Sequence, residues 1–368
     1  MNLEMAKKLV ISVLIVLVAN FLWASASPVK DTVSTYTAEE KADQKKSKIK
    51  EDIKHHLQDS HDFHLFTDET TGKHYGFPLP VILWDEELHV FMSSEFHHGE
   101  SIVQSKDKYY ELHHGKIHRT DESGNIIESA HPIDFSITKN VFMIMVISLM
   151  LFIMLFRTNK SYKKRGHLPS GIGRFIEPII LYVRDDIAIP NIGKKHYRKY
   201  MGFLLTVFFF VWLVNLFGLT PIGVNITNNI AVTFCLALLT YLITIFTAKK
   251  TYWLHLIDPL GNTMPWIAKI PLYILLVPIE LLGTIIKPFS LMIRLYANIT
   301  AGHIVLMSLI GMMFVFNNWI GSSLSFLLAF TLGILELLVA ALQAYIFTML
   351  SAVYFGSAVA EHEHDEEH

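Results

Sequence analysis

The chain reads as an all-α polytopic membrane protein carrying a small β-containing extracytoplasmic domain near its N-terminus. Three observations predict this. Of 368 residues, 52% are hydrophobic and 17% charged, and mean hydropathy is +0.38, more apolar and less charged than a soluble domain. Several windows of about twenty residues are almost free of charge, the length a helix needs to cross a bilayer. A polar stretch ahead of most of them has the pattern of short strands and turns. The formal net charge of −2 gives no indication of nucleic acid, and none is expected as a partner. The single cysteine, Cys235, rules out an internal disulfide framework and a Cys-based metal cluster. Lying in an apolar span, it is expected to be a buried small apolar residue.

Residues 1–26 read as a secretory signal peptide. Lys7 and Lys8 form its charged start, Leu9 to Trp23 its apolar core, and Ala24-Ser25-Ala26 a small-residue cleavage site. A retained anchor is the alternative; either way the next segment is delivered outside the cytoplasm. Residues 27–136 form a His-rich extracytoplasmic extension. Its first part, residues 27–60, is a polar, charged linker. Pro80–Asp85 and Leu88–Met92 suggest short strands, and Asp121-Glu-Ser-Gly-Asn125 a turn. Twelve of the 19 histidines fall between His55 and His131, among them the pairs His55–His56, His97–His98 and His113–His114. Their spacing is irregular and no cysteine assists, so no metal site is expected; exposed histidines cost little in a polar domain.

The membrane domain is expected over residues 137–360, followed by an acidic, His-containing tail at residues 361–368. A first span, Val141 to Phe156, is followed by Arg157, Lys160, Lys163, Lys164 and Arg165, which mark a cytoplasmic flank. Ile172 to Ile187 alternates apolar and charged residues as an amphipathic helix on the cytoplasmic surface. Lys194, Lys195, Arg198 and Lys199 precede a second span, Phe203 to Leu219. A polar loop with Asn225, Asn228 and Asn229 leads to a third, Ile230 to Phe246, returned to the cytoplasm by Lys249 and Lys250. From Trp266 to Val315 the chain is apolar but too long for one upright helix, since fifty helical residues reach about 75 Å against a core of about 30 Å. A hairpin and one strongly tilted helix both fit, and Pro271, Pro278 and Pro288 allow bends. A last apolar stretch runs from Ser323 to Val359.

Arg294, inside the long segment, is the most informative residue. A guanidinium keeps its proton, and an Arg at the centre of a membrane helix costs at least ~2.5–3.5 kcal/mol. Such a cation is expected beside an ion or proton pathway. At helical spacing Ser290, Arg294, Asn298, Ala301 and Gly302 share a face, and the small Ala301–Gly302 pair admits a close neighbour. His303 points the other way. Glu280 and Lys287 also fall on the Arg294 side. On the last stretch Glu336, Ala340, Gln343 and Phe347 share a face. These polar groups lie at different depths, which suits two offset water-accessible routes. Ser290, Asn298 and Gln343 would also serve as ordinary interhelical hydrogen-bonding residues, Lys287 could snorkel to an interface, and Glu336 and His303 could be a structural acid–base couple. A purely structural Arg294 would need a fixed counter-ion, for which Glu336 is the deep candidate in this chain.

Six segments carry a family resemblance. They are Pro190-Asn-Ile-Gly-Lys194, Asn215-Leu-Phe-Gly-Leu-Thr-Pro221, Asn229-Ile-Ala-Val-Thr233, Glu280 with Lys287-Pro288, Ser290-Leu-Met-Ile-Arg-Leu-Tyr-Ala-Asn-Ile-Thr-Ala-Gly302, and Leu342-Gln-Ala-Tyr-Ile-Phe347. As a set they resemble subunit a of the F-type ATP synthase, the membrane-sector stator family. The resemblance leaves residues 27–135 unaccounted for. It implies about five membrane crossings, two of the helices long and tilted, in a bacterial inner membrane with the N-terminus outside and the C-terminus cytoplasmic. The long segment then crosses once. The implied partners are the subunit c ring, subunit b and the rest of the synthase, and the lipid membrane. No cofactor and no catalytic residue are implied, since ATP chemistry belongs to other subunits; the chain carries no phosphate-binding loop.

Arg294 matches the family's essential arginine, which favours the ionised form of a passing ring carboxylate and blocks direct proton leakage. Glu280, Lys287 and Ser290 then lie on its cytoplasmic side, Glu336 and His303 in the outer half-channel, and Asn298, Gln343, Ala301 and Gly302 at the ring interface. In much of the bacterial family the acid and the histidine occupy those two outer positions in the opposite order. Here they are exchanged. The competing reading is a secondary transporter or metal-ion permease with a His-rich capture domain, which would need internal repeats; no convincing repeat relates the halves.

Overall fold

The computed structural model describes residue 47 and residues 59–68, 73–99, 101–113, 115–164, 171–220, 224–258, 266–316 and 318–360. The signal peptide, nearly all of the linker, His55, His56, His114 and the tail at 361–368 lie outside the described residues. The chain divides into two compact units.

The first unit holds the N-terminal domain, the start of the first membrane helix, and residues 217–226 and 302–335. Its strands are β1 (Asp62–Asp68), β2 (Lys73–Pro78), β3 (Pro80–Asp85), β4 (Glu87–Met92), β5 (Val103–Ser105), β6 (Lys108–His113), β7 (Lys116–Thr120) and β8 (Ile133–Asp134). β1 and β2 make an antiparallel ribbon, β4-β3-β8 one antiparallel sheet, and β5-β6-β7 another. The sequence expectation of strands at 80–85 and 88–92 is met, with β4 starting one residue earlier. Side chains alternate across a strand, so Val81, Leu83 and Phe91 turn inward and share a core with Val103, Tyr110, Ile117 and Phe96. The expected turn closes on Asp121, whose carboxylate accepts from the Ser123 and Asn125 amides at 2.9 and 2.8 Å, an Asx arrangement. Gly124 follows at φ 85°, a conformation that costs glycine little.

Two histidines depart from expectation. His61 and His89 are buried rather than exposed. His61 Nε2 lies 2.9 Å from Asp134, and His89 Nδ1 3.2 Å from the Ser105 hydroxyl. Among the described residues no three His, Cys, Asp or Glu side chains gather as a metal-binding group. Burial pushes the Asp134 carboxyl up, but hydrogen bonds from His61 and Ser136 outweigh it and leave it below the usual carboxylate value.

This domain is fastened to the first helix, α1 (Lys139–Lys164). Beyond β8 the Phe135 and Ile137 amides donate to Ile82 and Pro80 at 2.8 and 3.1 Å, so strand pairing continues to within two residues of the helix. Lys139 N–H donates to the Ser60 carbonyl at 2.9 Å, and the Asp59 carboxylate accepts from the Thr138 hydroxyl and the Asn140 amide. Phe142 on α1 meets Phe63 and Phe77 edge-on at 5.7 and 5.3 Å.

The second unit contains most of the helical membrane domain. Its helices are the rest of α1, α2 (Ile172–Tyr182), α3 (Ile189–Ile192), α4 (Tyr197–Gly218), α5 (Ile230–Thr247), α6 (Lys250–Ile257), and parts of α7 (Trp266–Val315) and α8 (Trp319–Val359). Five of them, α1, α4, α5, α7 and α8, are long and apolar enough to cross a membrane. The α2 segment differs from the single helix expected over 172–187: it widens into a π turn over Val183–Ala188 before α3. Pro190 explains the change, since it offers no N–H to the carbonyl four residues back. Asn229 caps α5, its side chain accepting from the Ala231 amide at 3.0 Å. The alternatives left open for the long segment resolve to one uninterrupted helix of 50 residues. Cys235 is exposed on α5, contrary to the expectation of a buried thiol. Its span is apolar because its surroundings are apolar, and that does not require cover by the same chain.

Candidate functional site

The packed centre of the second unit joins α4, α7 and α8. Leu291, Met292 and Leu295 of α7 share one buried cluster with Ala344, Phe347 and Phe355 of α8 and with Tyr200 and Leu204 of α4. Two features hold the end of α8. Tyr200 stacks on Phe355 at 4.6 Å. Gly356 lies so close to the Asn191 carbonyl that a Cβ there would collide with it. Lys249 N–H donates to the Ala358 carbonyl at 2.9 Å, and the Thr251 hydroxyl to that of Ala360 at 3.0 Å. The basic residues that precede α4 and follow α5 therefore stand at the same end of this unit as the end of α8.

Arg294 lies half-buried at an edge. Leu291 and Leu295, on one side of it, are packed in the core, whereas Ile293, Ala297, Asn298 and Ala301, on the other, are exposed on the isolated chain. A side chain at this position reaches both the packed flank and an open face of small residues. Among the described residues no carboxylate stands within ion-pair distance of Arg294. The fixed counter-ion that a structural Arg would require is therefore not supplied from there. Ser290 is half-buried on the same face.

One turn pair earlier, α7 lines a narrow recess of about 10 Å³ with α5, α6 and α8, about the space of one water. Its polar lining includes Thr240, Thr244, Tyr252, Thr284, Lys287 and Tyr354. Pro288 borders it and has no N–H for the Thr284 carbonyl, which leaves a backbone acceptor in the recess. Lys287 Nζ sits over the Tyr354 ring, 5.8 Å from its centroid, a cation–π contact. Tyr354 also lies within electrostatic reach of Arg294. The Thr284 hydroxyl donates to the Glu280 carbonyl at 3.1 Å and pairs with Tyr252. Burial raises the Tyr252 hydroxyl above its ordinary value, partly offset by Thr284, so it remains a neutral hydrogen-bonding group. The structure thus brings Lys287 and Arg294 to Tyr354, and Glu280 to Tyr252 and Thr284; the sequence reading missed Tyr354, Tyr252 and Thr284.

On α8 the face predicted for Glu336, Ala340, Gln343 and Phe347 is buried throughout. Tyr354 extends it, because eighteen residues are five full turns; carrying the stripe two turns further would have found it. Glu336 is buried with Oε2 lacking a hydrogen-bond partner among the described residues. Gln343 is buried, and so is His303. Asn298 and Ala301 are exposed and Gly302 is half-buried. Further along the same unit, Thr227 donates to Asn215 at 3.0 Å and Thr300 to Asn228 at 2.6 Å, which fixes the polar loop against α4 and α7.

Comparison with known proteins shows the family. A family model described as ATP synthase A chain matches residues 141–356, more than half of the chain. A second, described as a domain of unknown function (DUF8433), matches residues 52–135. The ATP synthase subunit a of Chloroherpeton thalassium (strain ATCC 35110 / GB-78) is 40% identical over 238 residues, 64% of this chain and 70% of that protein. That of Pelodictyon phaeoclathratiforme (strain DSM 5477 / BU-1) is 44% identical over 241 residues, covering 64% and 69%. That of Myxococcus xanthus (strain DK1622) is 40% identical over 239 residues, covering 64% and 77%. On these matches the chain belongs to the ATP synthase A chain family.

Proposed function

We propose that this chain is the proton-translocating stator subunit of an F-type ATP synthase, with Arg294 as the fixed charge at a boundary with a rotating ring of subunit c. It is a non-catalytic membrane subunit. The observation that carries the mechanism is the position of Arg294: half-buried, at the rim of an open face of small residues, with no carboxylate of the described chain against it. A partner acid arriving at that face meets a cation that favours its ionised form. Ala301 and Gly302 let the partner helix come close. Asn298 and Gln343 provide amides beside the charge.

On this reading the domains are a signal peptide at 1–26, an extracytoplasmic extension at 27–136, a membrane domain at 137–360 and a tail at 361–368. The basic residues at the end of α1, around the start of α4 and after α5 mark one side as cytoplasmic. A single helix of about 75 Å crosses a core of about 30 Å only with strong tilt and with part of its length outside, so α7 crosses once and α8 returns to the cytoplasm. α2 lies along the cytoplasmic surface. The recess lined by Lys287, Tyr252 and Tyr354, with Glu280 one turn before Thr284, then supplies the inner half-channel, with Ser290 on the way to Arg294. Glu336 and His303 serve the outer half-channel. Protons entering there neutralise a ring carboxylate, the ring turns, and the proton leaves through the inner recess. Each charge moved across 100 mV supplies about 2.3 kcal/mol. Subunit b and the remaining synthase subunits complete the assembly in a bacterial inner membrane.

The test is ATP-driven proton pumping by vesicles holding the whole complex with Arg294→Ala. Loss of pumping with intact assembly is expected. Normal pumping would overturn the mechanism.

A further inference from the structure

The β4-β3-β8 sheet has a second apolar face, turned away from the core. Trp84, Leu88, Val90, Met92, Ile133 and Phe135 are each between 41% and 63% exposed. They are neighbours. Trp84 pairs with both Leu88 and Ile133, Val90 faces Ile82, Met92 faces Pro80, and the Phe135 amide bonds to Ile82. Side chains alternate across a strand, so all six lie on one surface. An antiparallel sheet with one solvated side normally shows polar residues there. The other sheet of the same domain does: Gln104 pairs with Tyr109 and Glu111 with His118 on its outward side. The contrast within one small domain makes the apolar face a built feature that needs a cover.

Its position limits what the cover is. Residues 133–137 run along β3 directly into α1, a membrane span. The Phe142 ring contacts and the Ser60 and Asp59 hydrogen bonds leave no free linker between sheet and helix. Exposed Ile133 and Phe135 are followed in sequence by exposed Val141 and Met145 on α1, so apolar side chains stand uncovered by this chain on both sides of the junction between sheet and span. Two strands of six residues and one of two, about 4.8 Å apart, present only a few hundred Å². A stable protein partner needs about 800 Å² on each side. A tethered face needs far less, since the tether already supplies the local concentration.

We propose that this face rests in the headgroup region of the lipid bilayer beside α1, with Trp84 and Phe135 as interfacial aromatic anchors. The proposal holds whichever side of the membrane the domain occupies. It rests only on α1 being a span, not on the role of Arg294.

Cys235 is the chain's single cysteine, so a Cys235→Ser background allows one label at a time. An environment-sensitive fluorophore is placed at Val90→Cys, Phe135→Cys or, as the control on the polar sheet, Gln104→Cys. The labelled chain is studied in the whole synthase complex, otherwise free of reactive thiols, in phosphatidylcholine vesicles. Headgroup spin-labelled lipid should dim the labels at 90 and 135 roughly twofold or more, as expected at a depth of about 5–10 Å, while aqueous iodide leaves them bright. The label at 104 should behave the opposite way. Iodide quenching at 90 and 135 equal to that at 104 would overturn the proposal, because the face would be open to water. Shielding of both sites from iodide and from lipid would overturn it too, because a protein would be the cover. Two separate label sites guard against one disturbing the fold.

Discussion

Phe142→Ala is the sharpest test of how the N-terminal domain is held to the membrane part. Phe142 meets Phe63 and Phe77 edge-on at 5.7 and 5.3 Å. Each such aromatic contact contributes about 0.5–1.5 kcal/mol beyond burial, so the pair supplies about 1–3 kcal/mol. The ring is only half-buried, so the loss stays short of the ~3–5 kcal/mol typical of a fully buried Phe→Ala change. At about 1.4 kcal/mol per tenfold, local opening rises roughly 5- to 150-fold. The reporters are the Lys139 amide, bonded to Ser60, and the Asn140 amide, bonded to Asp59. Their hydrogen exchange, measured by mass spectrometry on the complex in lipid nanodiscs, should speed up by that factor. Amides of the β6–β7 ladder, such as those around Leu112 and Ile117, should not change, because the opening is local. Phe142→Leu should fall between. Unchanged exchange at 139 and 140 in Phe142→Ala would show that the backbone bonds alone fix the domain, and the ring-clamp reasoning would be wrong.

Three other outcomes follow from the geometry. Tyr354→Phe keeps a ring beneath Lys287 and should leave ATP-driven pumping close to normal, whereas Tyr354→Ala, losing a contact of ~1–2 kcal/mol, should lower it several-fold; equal impairment in both would place the role in the hydroxyl instead. Gly356→Leu forces α8 off the Asn191 carbonyl at about 1–3 kcal/mol or more of overpacking, and should reduce the amount of assembled subunit recovered from membranes. The Asp134 carboxyl is held below its ordinary value, so its contribution is present above about pH 4 and is lost as pH falls through the folded value. Exchange at Ile133 and Phe135, corrected for its intrinsic pH dependence, should therefore rise on acidification below that point, and Asp134→Asn should remove the effect.

The elements legible in the sequence were those with a local cause. Short apolar runs suggested β3 and β4, the polar loop ending at Asn229 preceded α5, and charge-free length marked the spans. The hairpin and single-helix alternatives for 266–315 were indistinguishable because three prolines permit bends without requiring them. Cys235 and the buried histidines were misjudged for one shared reason. Apolar surroundings and burial are different quantities, and composition reports only the first. Cys235 lies in an apolar span yet is not covered by its own chain, and His61 is buried in a polar domain because Asp134, far along the chain, comes to meet it. At the site, charged residues drew notice while Tyr354 passed as packing. Its partner Lys287 lies on another helix, so no spacing rule within α8 reveals the contact.

The stripe along α8 bears on how an ion would cross. Glu336, Gln343 and Tyr354 lie on one face, yet Phe347 stands between the last two and is fully enclosed. The Lys287–Tyr354 contact fixes a register between α7 and α8. Moving seven residues up each helix, about 10 Å, brings Arg294 level with Phe347. An apolar ring and a permanent cation therefore share one level, with polar groups to either side. The ring offers no hydrogen bond to carry a proton, and the cation repels it. On the proposed reading, a proton reaching Gln343 from one side and one leaving past Tyr354 on the other are not handed across by Phe347 and Arg294. On the proposed reading the gap is bridged only by an acid carried past the open face of Ala297, Asn298 and Ala301, which is why ion flow and rotation would be inseparable.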